Sequence, residues 1–173
     1  MKGKQIKKKI CLLGLYGVGK TSLVRQFVYN KFEEKYLSTI GVNISKKSIE
    51  LTNDFNENIL LEFFIWDIAN IEKFDTVTQS YLSGAHGAIV VSDILRESII
   101  PQTIEYTNKF LEINNNSKII LVGNKFDLAD KNSFDSDNYI SKLSSLNLPF
   151  YFTSAKTGEN VENVFHSLGK SLI

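Results

Sequence analysis

The sequence predicts a three-layer α/β sandwich: a six-stranded, mostly parallel sheet with one antiparallel strand, lying between two layers of helices. Three observations predict it. Continuous apolar runs occur at residues 10–13, 88–91 and 119–122, the pattern of strands buried on both faces of a parallel sheet. Segments with apolar residues at helical spacing alternate with them, as right-handed β-α-β crossovers require. Between the first run and the first helical segment stands Gly14-Leu15-Tyr16-Gly17-Val18-Gly19-Lys20-Thr21. It is a glycine-rich turn at the carboxyl end of a strand, where ligands on such sheets bind.

The elements follow in order. Residues 1–9 hold five lysines (Lys2, Lys4, Lys7, Lys8, Lys9) and read as a solvated flank before the first buried strand. Leu23, Val24, Phe27 and Val28 mark the first helix. Residues 31–41 are a long polar loop containing Phe32, Tyr36 and Ser38-Thr39-Ile40-Gly41; long loops in compact domains tend to carry function. Residues 42–51 alternate as a half-exposed edge strand guarded by Lys46 and Lys47. An Asn- and Asp-rich turn over 52–58 then leads into an apolar strand over 59–66, completing a hairpin that ends at Asp67. Ile71, Phe74, Val77, Thr78, Tyr81 and Leu82 recur at helical spacing. Two further helices are expected over residues 101–114, with Pro101 in its first turn, and 136–145. A short strand over 150–152 precedes a last helix striped by Val161, Val164, Phe165, Leu168 and Leu172, with Asn160 as its expected N-cap. The order is β-α-β-β-α-β-α-β-α-β-α. Gly14, Asp67, Asn124 and Ser154 then all fall at strand ends, along one rim.

Bulk properties bound the function. A chain of 173 residues is expected to be a single domain over 1–173. Lys+Arg 20 against Asp+Glu 19 gives no basic field, so no nucleic-acid partner is expected. Cys11 is the one cysteine, which excludes an internal disulfide and reads as a small core residue; with two His it also leaves no structural zinc set. No apolar run is long enough to span a bilayer, and no signal peptide pattern is present. The expectation is a cytoplasmic monomer, with a peripheral place at a membrane left open.

The motifs carry the chemistry. Residues 14–21 read G-x-x-x-x-G-K-T, a phosphate-binding loop in strand–loop–helix context. Its glycines let the backbone turn N–H groups inward, and the helix N-terminus adds partial positive charge. Tyr16, Gly17, Val18, Gly19, Lys20, Thr21 and Ser22 are therefore the expected phosphate-side contacts, with Lys20 on the β- and γ-phosphates and the Thr21 hydroxyl on Mg²⁺. Asn124-Lys125-Phe126-Asp127 follows the fifth strand and Thr153-Ser154-Ala155-Lys156 the sixth. The Asp127 carboxylate can accept from the N1–H and 2-amino groups of guanine, where adenine would leave it unpaired. Asn124 can bond the base and brace the phosphate loop. The Lys125 stem can lie along the ring, and the Ala155 N–H can donate to guanine O6. Ser154 and Lys156 complete this side of the expected site.

With these motifs in place the chain resembles the Ras superfamily of small GTPases over essentially its whole length, and most resembles the Rab branch. Tyr36-Leu37-Ser38-Thr39-Ile40-Gly41-Val42 resembles a Rab first switch, and residues 80–88 resemble the Rab segment leading into the fourth strand. The resemblance implies the P-loop small GTPase fold, GTP or GDP as ligand, and Mg²⁺. It implies that Phe32 lies edge-on to guanine, that Thr39 binds Mg²⁺ and the γ-phosphate, and that Asp67 holds Mg²⁺ through water. It further implies effectors read through two switch loops and the apolar trio Ile44, Trp66 and Tyr81, together with an exchange factor and a GTPase-activating protein. Packing at a strand end and a helix end is an equally good reading of Trp66 and Tyr81.

The departures matter as much. Where the family has W-D-T-A-G-Q-E, this chain has Trp66-Asp67-Ile68-Ala69-Asn70-Ile71-Glu72. Asn70 replaces the glycine whose N–H meets the γ-phosphate, and Ile71 replaces the water-orienting glutamine. Lys20, Thr39 and the Ile71 position are the expected catalytic set, with hydrolysis impaired at Ile71. Tyr16 replaces a small residue facing the γ-phosphate; its phenol either blocks a partner's arginine finger or offers its own O–H. Residues 169–173 carry no cysteine motif, so no lipid anchor is expected to be encoded there. Two functions follow as expectations: a switch that hydrolyses GTP slowly, of signalling or trafficking type, or a GTP-binding scaffold with negligible hydrolysis that serves as an effector-binding module. A phosphate-loop ATP kinase is disfavoured by Asp127 and by the lack of an arginine-rich lid.

Overall fold

The computed structural model describes residues 4–34, 39–69, 71, 74–130 and 132–173. In chain order its elements are β1 (Lys4–Leu13), α1 (Lys20–Tyr29), β2 (Val42–Thr52), β3 (Asn58–Ile68), α2 (Thr76–Leu82), β4 (Gly87–Asp93), α3 (Ile100–Ile113), β5 (Lys118–Asn124), α4 (Ser136–Ser141), β6 (Phe150–Phe152) and α5 (Val161–Ser171). The sheet runs β2-β3-β1-β4-β5-β6. Only β2 pairs antiparallel, against β3; the remaining pairs are parallel. The predicted α/β sandwich is the one observed.

Side chains on β1 alternate between two cores because successive residues of a strand face opposite sides of the sheet. Ile10 and Leu12 pack with Leu23 and Phe27 of α1 and with Val164, Phe165 and Leu168 of α5. The Phe27 and Phe165 rings stack with centroids 3.8 Å apart. Cys11 and Leu13 join the other core, with Leu82 of α2, Tyr106 and Phe110 of α3 and Tyr139 of α4. Cys11 is fully buried, and burial pushes its thiol up to about 12. It is an inert packing residue, as the sequence suggests.

Four local expectations are corrected. The lysines from Lys4 onward are part of β1 rather than a flank, because β3 extends far enough to offer a ladder partner from Ile59. Their stems lie along the sheet: the Lys9 ammonium stands 4.0 Å from the Trp66 ring centroid and donates to the Ser83 carbonyl at 2.8 Å. The second helix is shorter than the apolar spacing implies. It starts at Thr76, where the Asp75 carboxylate accepts the Thr78 N–H at 2.9 Å as an N-cap, so Ile71 and Phe74 precede it. The helix expected over 136–145 ends at Ser141 and is followed by a 3-10 turn, Ser144–Leu146. Asn160 occupies the N-cap position of α5 but does not cap it; its φ is 57°, and its amide donates to the Phe152 carbonyl at 2.9 Å.

The carboxyl ends of the parallel strands share one rim. Gly14 turns the chain there at φ 143°, and a Cβ on it would fall 2.2 Å from the Val91 carbonyl oxygen. Only glycine lets the loop pass this close to β4.

Candidate functional site

A cleft of about 400 Å³ opens over this rim, within the size range of small-molecule sites. One wall is Tyr16, Gly17, Gly19, Lys20, Thr21 and Ser22; Phe32 and Thr39 come from the loop after α1; Asn124, Lys125, Asp127, Ala155 and Lys156 form the opposite side. Most of the predicted site residues are thus brought together. Arg25, Glu33, Glu34, Ala69 and Leu128 also line the cleft and were missed by the sequence reading. Arg25 was within reach of pattern reasoning, since it stands one helical turn after Thr21 and so on the same face of α1; it pairs with Glu33.

On the phosphate-loop side, Gly19 leads into α1 with φ 99° and no side chain caps the helix. An N-terminus whose cap residue carries no side chain is the arrangement that receives anions. The Lys20 ammonium donates to the carbonyls of Gly14 (2.7 Å) and Leu15 (3.1 Å). Burial brings its pKa down to about 8, partly offset by the Asp67 charge. Val18 is fully buried in the core, so only its backbone serves the loop. Its carbonyl accepts the Asn124 amide at 2.9 Å, the brace foreseen for Asn124.

Three oxygen-bearing side chains meet beside Lys20. The Thr21 hydroxyl donates to Asp67 Oδ2 at 2.6 Å and lies 2.6 Å from the Thr39 hydroxyl. Asp67 is 1 % exposed, and its other carboxylate oxygen is buried without a hydrogen-bond partner among the described residues. Burial raises the Asp67 pKa, against the Thr21 hydrogen bond and the Lys20 and Arg25 charges. An all-oxygen set with one uncompensated buried carboxylate oxygen suits a hard divalent cation such as Mg²⁺. Among the described residues no group of three His, Cys, Asp or Glu side chains forms a protein-only metal cage.

On the opposite side, Asp127 Oδ1 accepts the Ser154 hydroxyl at 2.7 Å, and the Ser154 oxygen accepts the Thr157 N–H at 3.0 Å. Ser154 is fully buried and backs Asp127 from behind. The Ala155 N–H is donated to Asn124 Oδ1 at 3.2 Å, so the group expected to face a base engages Asn124 here. Lys125 has a left-handed backbone, φ 70°, and its ammonium pairs with Asp93 Oδ2 at 2.6 Å.

The segment after β3 behaves differently. Asn70 and Glu72 lie outside the described residues, as do Tyr36, Leu37 and Ser38. Ile71 does not line the cleft. It is 4 % exposed and belongs to the same core as Ile68, Leu82 and Tyr106, and the Tyr106 hydroxyl donates to its carbonyl. Phe74 meets the Tyr106 ring edge-on at 5.4 Å. Tyr16 is 53 % exposed at the mouth of the cleft. The apolar trio is contiguous: Ile44 is the cross-strand partner of Trp66, and the Trp66 and Tyr81 rings are 6.4 Å apart. Among the described residues no helix is long and apolar enough to cross a membrane.

Comparison with known proteins agrees with this geometry. A family model described as "Ras family" matches residues 9–173. The chain is 38 % identical over 167 residues to the Ras-related protein Rab-1A of Dictyostelium discoideum, a match covering 95 % of this chain and 79 % of that one.

Proposed function

The chain belongs to the Ras superfamily of GTP-binding switches and is Rab-like, and on that premise we propose that it takes GTP or GDP into the rim cleft with Mg²⁺ and hydrolyses GTP slowly. One observation carries the reading: the phosphate loop, Thr21, Thr39 and Asp127 all border a single cleft, and buried Asp67 accepts the Thr21 hydroxyl from behind its wall. Lys20 leaves the Gly14 and Leu15 carbonyls for the β- and γ-phosphates, joined by the N–H groups of Gly17, Gly19 and the first turn of α1. Thr21 and Thr39 ligate the metal, and Asp67 holds it through water. Mg²⁺ bound there supplies positive charge that draws the phosphate oxygens together and offsets their developing charge. Asp127, buttressed by Ser154, accepts from the guanine N1–H and 2-amino groups. Phe32 covers the base edge, and Ala155 offers its N–H to O6.

Hydrolysis is the weak function. Ile71 has no hydrogen-bonding side chain, and its packing under α3 supports a low rate, because nothing at that position orients an attacking water. We expect a single-turnover rate at or below the scale of unassisted Ras, on the order of 10⁻⁴ s⁻¹. That same burial favours a second reading, a GTP-holding scaffold without useful hydrolysis. In both, the switch loops over residues 31–41 and 70–82 and the Ile44–Trp66–Tyr81 patch present the protein to effectors, as a cytoplasmic monomer that can be peripheral to a membrane. The test has two parts. Fluorescent GDP should bind with Mg²⁺ and be displaced by GTP but not by ATP; displacement by ATP sinks the guanine assignment. Phosphate release in single turnover then separates slow switch from scaffold: measurable release on the expected scale supports the first, and none over a day supports the second.

A further inference from the structure

One residue outside both motifs touches the phosphate loop. Arg96 lies just past β4, and its Nη2 donates to the Tyr16 carbonyl at 2.9 Å. Its Nε donates to Asp93 Oδ2 at 3.1 Å. Asp93 is almost fully buried; the same oxygen accepts the Lys125 ammonium, and Oδ1 accepts the Leu95 N–H at 3.0 Å. Arg96 is not among the residues lining the cleft, so it grips the loop from outside.

The peptide plane turns this grip into an effect inside the cleft. In a trans peptide the carbonyl of one residue and the N–H of the next point in opposite directions. The described residues contain no cis peptide bond. Holding the Tyr16 carbonyl outward therefore turns the Gly17 N–H inward, toward the space the cleft encloses. Asn124 does the same two peptides further on: its grip on the Val18 carbonyl turns in the Gly19 N–H. The two held peptides flank the Gly17–Val18 peptide, and Gly17 has φ 76° and no side chain to fix it.

Resting on the nucleotide reading above, we infer that Arg96 is a positioning residue for the bound phosphates: it fixes the Tyr16–Gly17 peptide so that the Gly17 N–H faces the phosphate chain, and it ties that peptide through Asp93 to Lys125 of the base-side loop. The role needs a guanidinium. The planar fork supplies Nε to Asp93 and Nη2 to Tyr16 together in one fixed geometry, which a lysine's flexible point charge does not reproduce. Asp93 keeps Lys125 and the Leu95 N–H when Arg96 is removed, so the fold does not depend on it.

The experiment compares wild type, Arg96→Met and Arg96→Lys as full chains loaded with fluescently labelled GDP in Mg²⁺. Loss of one charge-assisted hydrogen bond should speed GDP release about tenfold or more in Arg96→Met. Arg96→Lys should fall between Arg96→Met and wild type. In ¹H–¹⁵N spectra of the GDP-bound protein, the Gly17 amide proton should move upfield in Arg96→Met, as expected for a weakened bond to phosphate. Preference for GDP over IDP, which tests the base side alone, should be unchanged. Wild-type release with an unmoved Gly17 resonance in Arg96→Met overturns the inference. So does full rescue by lysine, or an equal loss of melting temperature in nucleotide-free and GDP-bound protein, which marks a merely structural role. A wild-type chain that takes up no labelled GDP removes the function itself, and this inference with it.

Discussion

Ile71→Gln restores the side chain that the family uses to orient water, and the structure says it should fail. Ile71 is 4 % exposed, packed among Ile68, Leu82 and Tyr106, with its carbonyl held by the Tyr106 hydroxyl. A glutamine placed there gives up about 1.5–3 kcal/mol of apolar burial. It also carries an amide with no partner in that core, at a cost of about 1–3 kcal/mol. The sum is about 2.5–6 kcal/mol, and for a chain of this length each kcal/mol is about 2–4 °C of melting temperature. A fall of about 10 °C is expected, with single-turnover phosphate release no faster than wild type, because the amide stays away from the cleft. Thermal unfolding and phosphate release at saturating Mg²⁺ measure both. Wild-type stability together with a tenfold faster release would refute the reasoning, since it would show that residue 71 reaches the γ-phosphate freely. Rescue should need the segment released as well: Asn70→Gly and Tyr106→Phe added to Ile71→Gln should exceed any single change, since the sites share one peptide neighbourhood.

Three further outcomes are expected. Asp127→Asn should lose at least about a hundredfold in GTP affinity and gain xanthine nucleotides, because the amide donates where the carboxylate accepted while its oxygen still takes the Ser154 hydroxyl; unchanged GTP affinity in a competition titration would contradict the placement of the base. Thr21→Asn should weaken Mg²⁺-dependent GTP binding more than GDP binding, as its hydroxyl belongs to the Thr39–Asp67 oxygen set; equal losses would argue against a metal role. Burial raises the Cys11 thiol to about 12, so the thiolate is scarce at every pH below that. Iodoacetamide at pH 8 should leave the folded protein unlabelled and modify it in step with urea unfolding, read by mass spectrometry.

The layer architecture was legible because each strand announces itself by its neighbours: β4 and β5 carry continuous apolar runs since both faces are covered, and β2 alternates because it is an edge. The same logic misread β1. Lys4, Lys7, Lys8 and Lys9 look like a flank when polarity is equated with solvent, yet strand pairing uses the backbone, which a lysine supplies as well as a valine does. Their stems and heads find Glu62 and Trp66 only because β3 runs alongside, a fact no local window contains. The second helix failed for a related reason. Ile71 and Phe74 keep helical spacing without being helical, because their burial is demanded by Tyr106 on α3, while Asp75, the true start signal, is one polar letter among several.

The candidate site divides along the same line. Gly19, Lys20, Thr21, Asn124 and Asp127 were readable because each motif's spacing is imposed by a local backbone shape: a turn that needs glycine, a helix start, a strand end. Arg96 carries no such imprint. Its spacing from Asp93 is that of an ordinary ion pair, and its target is a backbone carbonyl 80 residues away in sequence, which leaves nothing in the sequence at Tyr16. Ile71 is the reverse case, a position that sequence marks as altered while only packing says what replaced the lost chemistry. An isoleucine on the cleft wall would be a deletion of function that one substitution could restore. An isoleucine buried in one core with Leu82, its carbonyl held by the Tyr106 hydroxyl, ties the segment after β3 to that core, so restoring a water-orienting side chain at position 71 and loosening the fold become the same act.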